Sequence, residues 1–243
     1  MMAGIIKSGM RTRYSGRFIW VCLLLCLPLL AVAQEQAPVS QLLKDRCSSC
    51  HNLTGPAPTT LAALRARKAP DLFYAGNKYK QEWLVEWLQA PKRIRPAGML
   101  YVDHIKASVD GDVVDKASLQ PHMSLDADTA KSVAADIMTL KGGAALVTAG
   151  DYQPGKISAS MGEMLFDKFR GCLACHEIEP GYGGASGPEM YTVAKRLQED
   201  YLISFLRNPL AWDPRTFMPD KKLKEKDLQK FVHYFRGLSE MKF

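Results

Sequence analysis

The sequence predicts an all-α protein built of two similar halves behind an export signal. Three observations carry that expectation. Residues 70–91 (PDLFYAGNKYKQEWLVEWLQAP) lie over residues 188–209 (PEMYTVAKRLQEDYLISFLRNP) without a gap, at a constant offset of 118. Apolar residues recur at helical spacing in the long patterned segments, while short runs of alternating apolar residues are nearly absent. A composition of 47% hydrophobic and 23% charged residues over 243 positions excludes a disordered or collagen-like chain and suffices for two small cores.

The first element, residues 1–33, has the three-part layout of a signal peptide. Lys7, Arg11, Arg13 and Arg17 form a basic start, Phe18 to Leu30 is an apolar stretch too short to span a bilayer comfortably, and Ala31-Val32-Ala33 supplies a cleavage site. Cleavage there leaves an exported chain with no stable membrane span; the alternative is a retained N-terminal anchor. Without the signal, 28 basic residues face 25 acidic ones, a net charge of +3. No clustered basic stripe remains, which argues against a nucleic-acid partner.

Four cysteines follow the signal, in two C-x-x-C pairs each followed at once by histidine: Cys47-Ser48-Ser49-Cys50-His51 and Cys172-Leu173-Ala174-Cys175-His176. This is the attachment signature of c-type haem, present twice. Two thiols one short turn apart can add across the two vinyl groups of a porphyrin edge, and the adjacent His then reaches the iron. A structural zinc site would instead need pairs 125 positions apart to converge. Local disulfides would leave the repeated histidine unexplained. The expected cofactors are therefore two covalently bound haem c groups with their iron, attached through Cys47, Cys50, Cys172 and Cys175 and ligated by His51 and His176.

Within the repeat, apolar residues at 83, 84, 87 and 88, and again at 201, 202, 205 and 206, mark one helical face in each half, ended before Pro91 and Pro209. A closing helix follows in each. The first runs from Asp126 to Leu140 with Ala130, Val133, Ala134, Ile137 and Met138 inward; the second runs from Glu225 to Leu238 with Leu228, Phe231, Val232 and Phe235 inward. Gly142-Gly143 and Gly237 are expected C-terminal stops. The domains then span 34–143, with an insertion at about 100–120, and 144–243, with a Gly/Pro-containing linker near 141–157.

On these residues the chain resembles the tandem dihaem class I cytochromes c of the bacterial periplasm. The resemblance covers nearly all of the chain after the signal: C-x-x-C-H near the start of each half, then Gly55-Pro56 and Gly187-Pro188, the aromatic helix, a ligand loop and the closing helix. It implies haem inside a small helical shell in each half, with His and usually Met as axial ligands. Phe217-Met218-Pro219 lies where the family carries its Met-Pro, which makes Met218 the expected sixth ligand of the second half. The first half departs from that pattern. Alignment through the closing helices puts Gln120-Pro121 at the Met-Pro place; alignment forward from Pro91 and Pro209 brings Met99 within one residue of Met218. Met99 is the first candidate there, with Met123, His122 and His104 as rivals and an open iron as a further alternative.

The role this resemblance implies is a periplasmic carrier that passes single electrons from a dehydrogenase or quinol-oxidising complex to an oxidase or reductase, with no catalytic residues of its own. Two alternatives stand beside it. One is a dihaem enzyme, peroxidase-like or acting on sulfur compounds, with the first haem as reaction centre; the other is a haem subunit of an oxidoreductase complex. Trp83, Trp87 and Trp212 are expected to pack as core rather than to relay electrons, and His233 to be structural. The run Lys221-Lys222-Leu223-Lys224-Glu225-Lys226, directly after Met218, is a candidate patch for steering an acidic redox partner.

Overall fold

A computed structural model describes residues 38–109 and 111–243; the expected signal peptide lies outside them. The first half opens with α1 (Gln41–Cys47), capped by Ser40, whose hydroxyl accepts from the Leu43 amide and donates to Asp136 Oδ2 at 2.6 Å. Three short helices follow, α2 (Leu61–Arg65), α3 (Ala75–Lys78) and α4 (Gln81–Gln89). After a loop carrying β1 (Ile105–Ser108) and β2 (Gly111–Val114), α5 (Ala127–Met138) closes the half against α4 and α1. Asp126 caps α5 as an N-terminal signal of that type should, accepting from the Asp128 and Thr129 amides. The buried face of α5 is Ala130, Val133, Ala134 and Ile137, as the periodicity requires.

The second half repeats the plan. α6 (Ala159–Met164) runs into a π-helical turn at Leu165–Phe169, and β3 (Glu177–Glu179) pairs with β4 (Tyr182–Gly183). Then come α7 (Val193–Arg196), α8 (Glu199–Arg207), α9 (Pro209–Trp212) and α10 (Glu225–Glu240). α3 and α4 return residue for residue as α7 and α8 at the offset of the sequence repeat. α10 takes α6, α7 and α8 on its apolar side. Gly162 lets α6 approach closely there: a Cβ at that position would stand 2.2 Å from Tyr234 Cδ2.

Two expectations are corrected. The fold is mixed rather than all-α, because the described residues include two small antiparallel two-stranded sheets, β1–β2 and β3–β4. Each is a hairpin of strands two to four residues long. Alternation over so few positions barely registers as a pattern, while Gly111 and the Pro180-Gly181 pair are the turn-type residues that the sequence carries there. Gly237 is not a helix stop either, since α10 continues to Glu240. Its Cα faces open space, where a glycine in mid-helix costs stability without ending the helix.

The two halves meet through a contact that reads the same from either side. Tyr79 and Leu197, equivalent positions of the repeat, form an antiparallel bridge with each other. The Lys80 amide donates to Arg196 O and, reciprocally, the Gln198 amide donates to Lys78 O, each at 2.9 Å. Side chains follow the same rule: Lys80 Nζ donates to Ala194 O at 2.9 Å, and Gln198 Nε2 to Gly76 O at 3.0 Å. The buried hydrophobic residues of both halves join in one cluster. Among the described residues, no helix is long and apolar enough to cross a membrane.

Candidate functional site

Each C-x-x-C-H motif is wound into one tight turn. Cys47 ends α1, and the Cys50 and His51 amides both donate to Cys47 O, at 3.2 and 2.9 Å. In the second half the Cys175 and His176 amides both donate to Cys172 O, at 3.1 and 3.2 Å. All four thiols are free; Cys47 and Cys172 are half-buried, while Cys50 and Cys175 are exposed. Burial pushes the Cys47 thiol up, and pushes Cys172 up to about 11 against the opposing pull of the Lys221 charge. That pull places Lys221, first of the lysine run, near the second motif. Among the described residues no three His, Cys, Asp or Glu side chains converge. The two cysteine pairs therefore do not combine into a single zinc-type cluster.

The motif histidines are held alike. His51 Nδ1 lies 2.7 Å from Pro70 O, and His176 Nδ1 lies 2.7 Å from Pro188 O. Pro70 and Pro188 are the paired first residues of the 22-residue repeat. A carbonyl can only accept, so Nδ1 carries the proton and Nε2 is left with an open lone pair, the form in which imidazole binds a metal. Burial is the main cause holding both rings below the usual histidine range, with the prolyl carbonyls acting the other way. In the second half the backbone is drawn close around this ring: the Gly187 amide donates to Cys175 O, and a Cβ on Gly187 would lie 2.6 Å from His176 Cε1. Two free thiols on one turn beside an imidazole with a free Nε2 fit a covalently attached haem, in both halves.

The residues expected from the sequence as second ligands are dispersed. Met218 is half-buried against the core, its amide donating to Thr216 Oγ1 at 3.2 Å. Met99 follows a loop that is sewn to the second half, where the Ala97 amide donates to Ala185 O at 3.2 Å and Ile94 O accepts from the Glu189 amide at 2.8 Å. His104 is tied inside the insertion, its Nδ1 2.7 Å from Ser118 Oγ. Met123 is exposed. His122 is brought to His51, with ring centres 6.2 Å apart and planes tilted by 58°.

Other sequence candidates take structural places. Trp212 is buried, and its Nε1 donates to Ser204 Oγ at 3.0 Å. Trp83 and Trp87 are half-buried and stacked, 5.5 Å apart, with Tyr79 on the far side of Trp83 and His122 against Trp87 at 4.7 Å. His233 Nε2 lies 2.9 Å from Gln153 O. The paired acids of the repeat, Asp71 and Glu189, are buried ion-pair partners: Asp71 meets Arg67, which also reaches Asp213, and Glu189 meets Arg196.

The sequence reading missed the prolyl carbonyls that orient the histidines and a basic cluster between the halves. Lys78 lies 5.4, 5.0 and 5.8 Å from the ring centres of Tyr74, Tyr79 and Tyr201. Burial pushes the Arg95 guanidinium down, with Tyr79 and Tyr74 acting the other way. Lys78 and Arg196 occupy equivalent repeat positions, which was the available signal. No protein-family model, curated protein or solved structure matches this chain.

Proposed function

We propose that the chain binds two haem c groups, one in each half, and carries single electrons between redox proteins of the periplasm. One observation supports this above the others: the two halves hold the same constellation, a pair of free thiols on one turn and a histidine whose Nδ1 is fixed by a prolyl carbonyl at 2.7 Å. Haem bound there would supply a reversible one-electron couple. The chain's own residues do the rest. Cys47 with Cys50, and Cys172 with Cys175, would anchor the group; His51 and His176 would offer Nε2, and Met218 would offer a thioether, which favours the reduced state, in the second half. The shared hydrophobic cluster, against which Cys47, Cys172 and Met218 pack, would lower the polarity on that side of each group. Electrons would enter from a dehydrogenase or quinol-oxidising complex and leave one at a time to an oxidase or reductase.

The test is expression with a haem-attachment system followed by mass spectrometry and haem absorption of the purified mature chain. Two covalent haems are expected, with Cys47→Ser/Cys50→Ser losing one and Cys172→Ser/Cys175→Ser losing the other. A folded chain that takes up no haem overturns the proposal.

A further inference from the structure

We infer that His122 is the second axial ligand of the iron in the first half, so that the two sites differ: histidine on both sides in the first, histidine and methionine in the second. This rests on the haem-binding proposal above. The first support is a distance. Two metal–imidazole bonds of about 2.0–2.1 Å, with about 1.1–1.2 Å from each nitrogen to its ring centre, put the ring centres of two histidines on opposite sides of one metal about 6.2–6.6 Å apart. The His51 and His122 rings stand 6.2 Å apart.

The second support is the state of the rings. His122 Nδ1 lies 2.7 Å from Met123 O, the same backbone-carbonyl tie that His51 makes to Pro70. Both rings therefore turn Nδ1 to a backbone carbonyl and leave Nε2 as the nitrogen with no hydrogen-bond partner among the described residues.

The third is how the segment is held. Trp87 packs its ring 4.7 Å from that of His122, and is itself pinned by the bond from its Nε1 to Lys92 O at 2.8 Å. Arg93 Nη2 grips Gln120 O at 2.8 Å on one side of His122, and the Leu125 amide donates to Leu88 O at 2.9 Å on the other. The short tether to the cap of α5 thus does not keep residue 122 from the iron; docking of α5 on α4 carries it there. Met99, by contrast, sits beyond a loop bonded to the second half.

The experiment uses the two-haem protein in the ferric state, read by electron paramagnetic resonance and near-infrared magnetic circular dichroism, which distinguish nitrogen–iron–nitrogen from nitrogen–iron–sulfur ligation. One centre of each kind is expected. His122→Ala should remove the bis-histidine signature and give one high-spin haem, with added imidazole restoring the low-spin state; Met99→Ala should change neither centre. His122→Met should raise the potential of the first haem alone. If His122→Ala leaves both signatures intact, or Met99→Ala or His104→Ala produces the high-spin haem, the assignment is wrong. Haem count by mass separates the two proposals: absence of haem defeats the functional one, whereas two haems with unchanged ligation in His122→Ala defeat only this one. His122 is exposed, so its loss should not unfold the chain, and far-ultraviolet circular dichroism checks that directly.

Discussion

Replacing Gly76 by alanine should destabilise the protein although it improves helix propensity. Gly76 lies in α3 directly against the end of α5, its amide donating to Leu140 O at 2.9 Å. An added Cβ would stand 2.2 Å from Met138 O and 2.7 Å from Met138 C. Comfortable non-bonded separation is about 3.5–4.0 Å, so one backbone must retreat from the other by more than about 1 Å. That retreat strains the Gly76–Leu140 bond, the Gly142 amide bond to Phe73 O at 2.8 Å and the Asn77 Nδ2 bond to Gly142 O at 3.0 Å. Overpacking costs about 1–3 kcal/mol and each weakened hydrogen bond about 0.5–1.5 kcal/mol, against about 1 kcal/mol gained in propensity. A net loss of about 1.5–6.5 kcal/mol follows. The same substitution at Gly237, where nothing lies within 4 Å of the added carbon, should stabilise by about 0.5–1 kcal/mol. Urea unfolding at unchanged slope measures both. A Gly76→Ala variant within about 0.5 kcal/mol of the parent, or a Gly237→Ala variant that shifts the same way, refutes the packing argument.

Arg67→Met strands the carboxylates of Asp71 and Asp213, which Arg67 now holds at 2.9 and 2.7 Å, and should cost about 3–5 kcal/mol at neutral pH. Burial already raises Asp71 above the usual carboxylate range, and loss of Arg67 raises it further. An acid whose folded pKa exceeds its unfolded value favours folding when protonated, so the deficit should narrow as pH falls; a pH-independent deficit in urea titrations would contradict this. Ser40→Ala removes the cap of α1 and a bond to Asp136, and should lower stability by about 0.5–2 kcal/mol in the same assay. Lys221→Glu should slow reduction by an acidic partner protein and flatten its dependence on ionic strength in stopped-flow mixing; an unchanged salt slope removes the lysine run from the docking surface.

The repeat was legible because it is written in large apolar residues at helical spacing: Trp83, Leu84, Trp87 and Leu88 recur as Tyr201, Leu202, Phe205 and Leu206, and the two helices fall at the same offset. Asp126 marked the start of α5 because a capping carboxylate is a local device. The hairpins escaped notice since their strands offer too few positions for alternation to show. The role of the prolyl carbonyls was hidden because main-chain oxygens carry no side-chain signature. In the first half, sequence offered two incompatible alignments for residues 92–125, whereas the closeness of His122 to His51 follows from the docking of α5 on α4, a tertiary contact with no local signature.

The reciprocal bonds of Lys80 with Arg196 and of Gln198 with Lys78 have a geometric corollary. A surface that recognises its own copy is satisfied after two copies, whereas one that recognises a different patch can go on adding copies without limit. Placing both copies in one polypeptide closes that pairing at birth. The extended edge at Tyr79 and Leu197 is consumed within the chain and cannot template a third half. The orientation of the halves is thereby set by main-chain bonds, independently of the segment that links them, and any later divergence of one half must still answer to the backbone of the other.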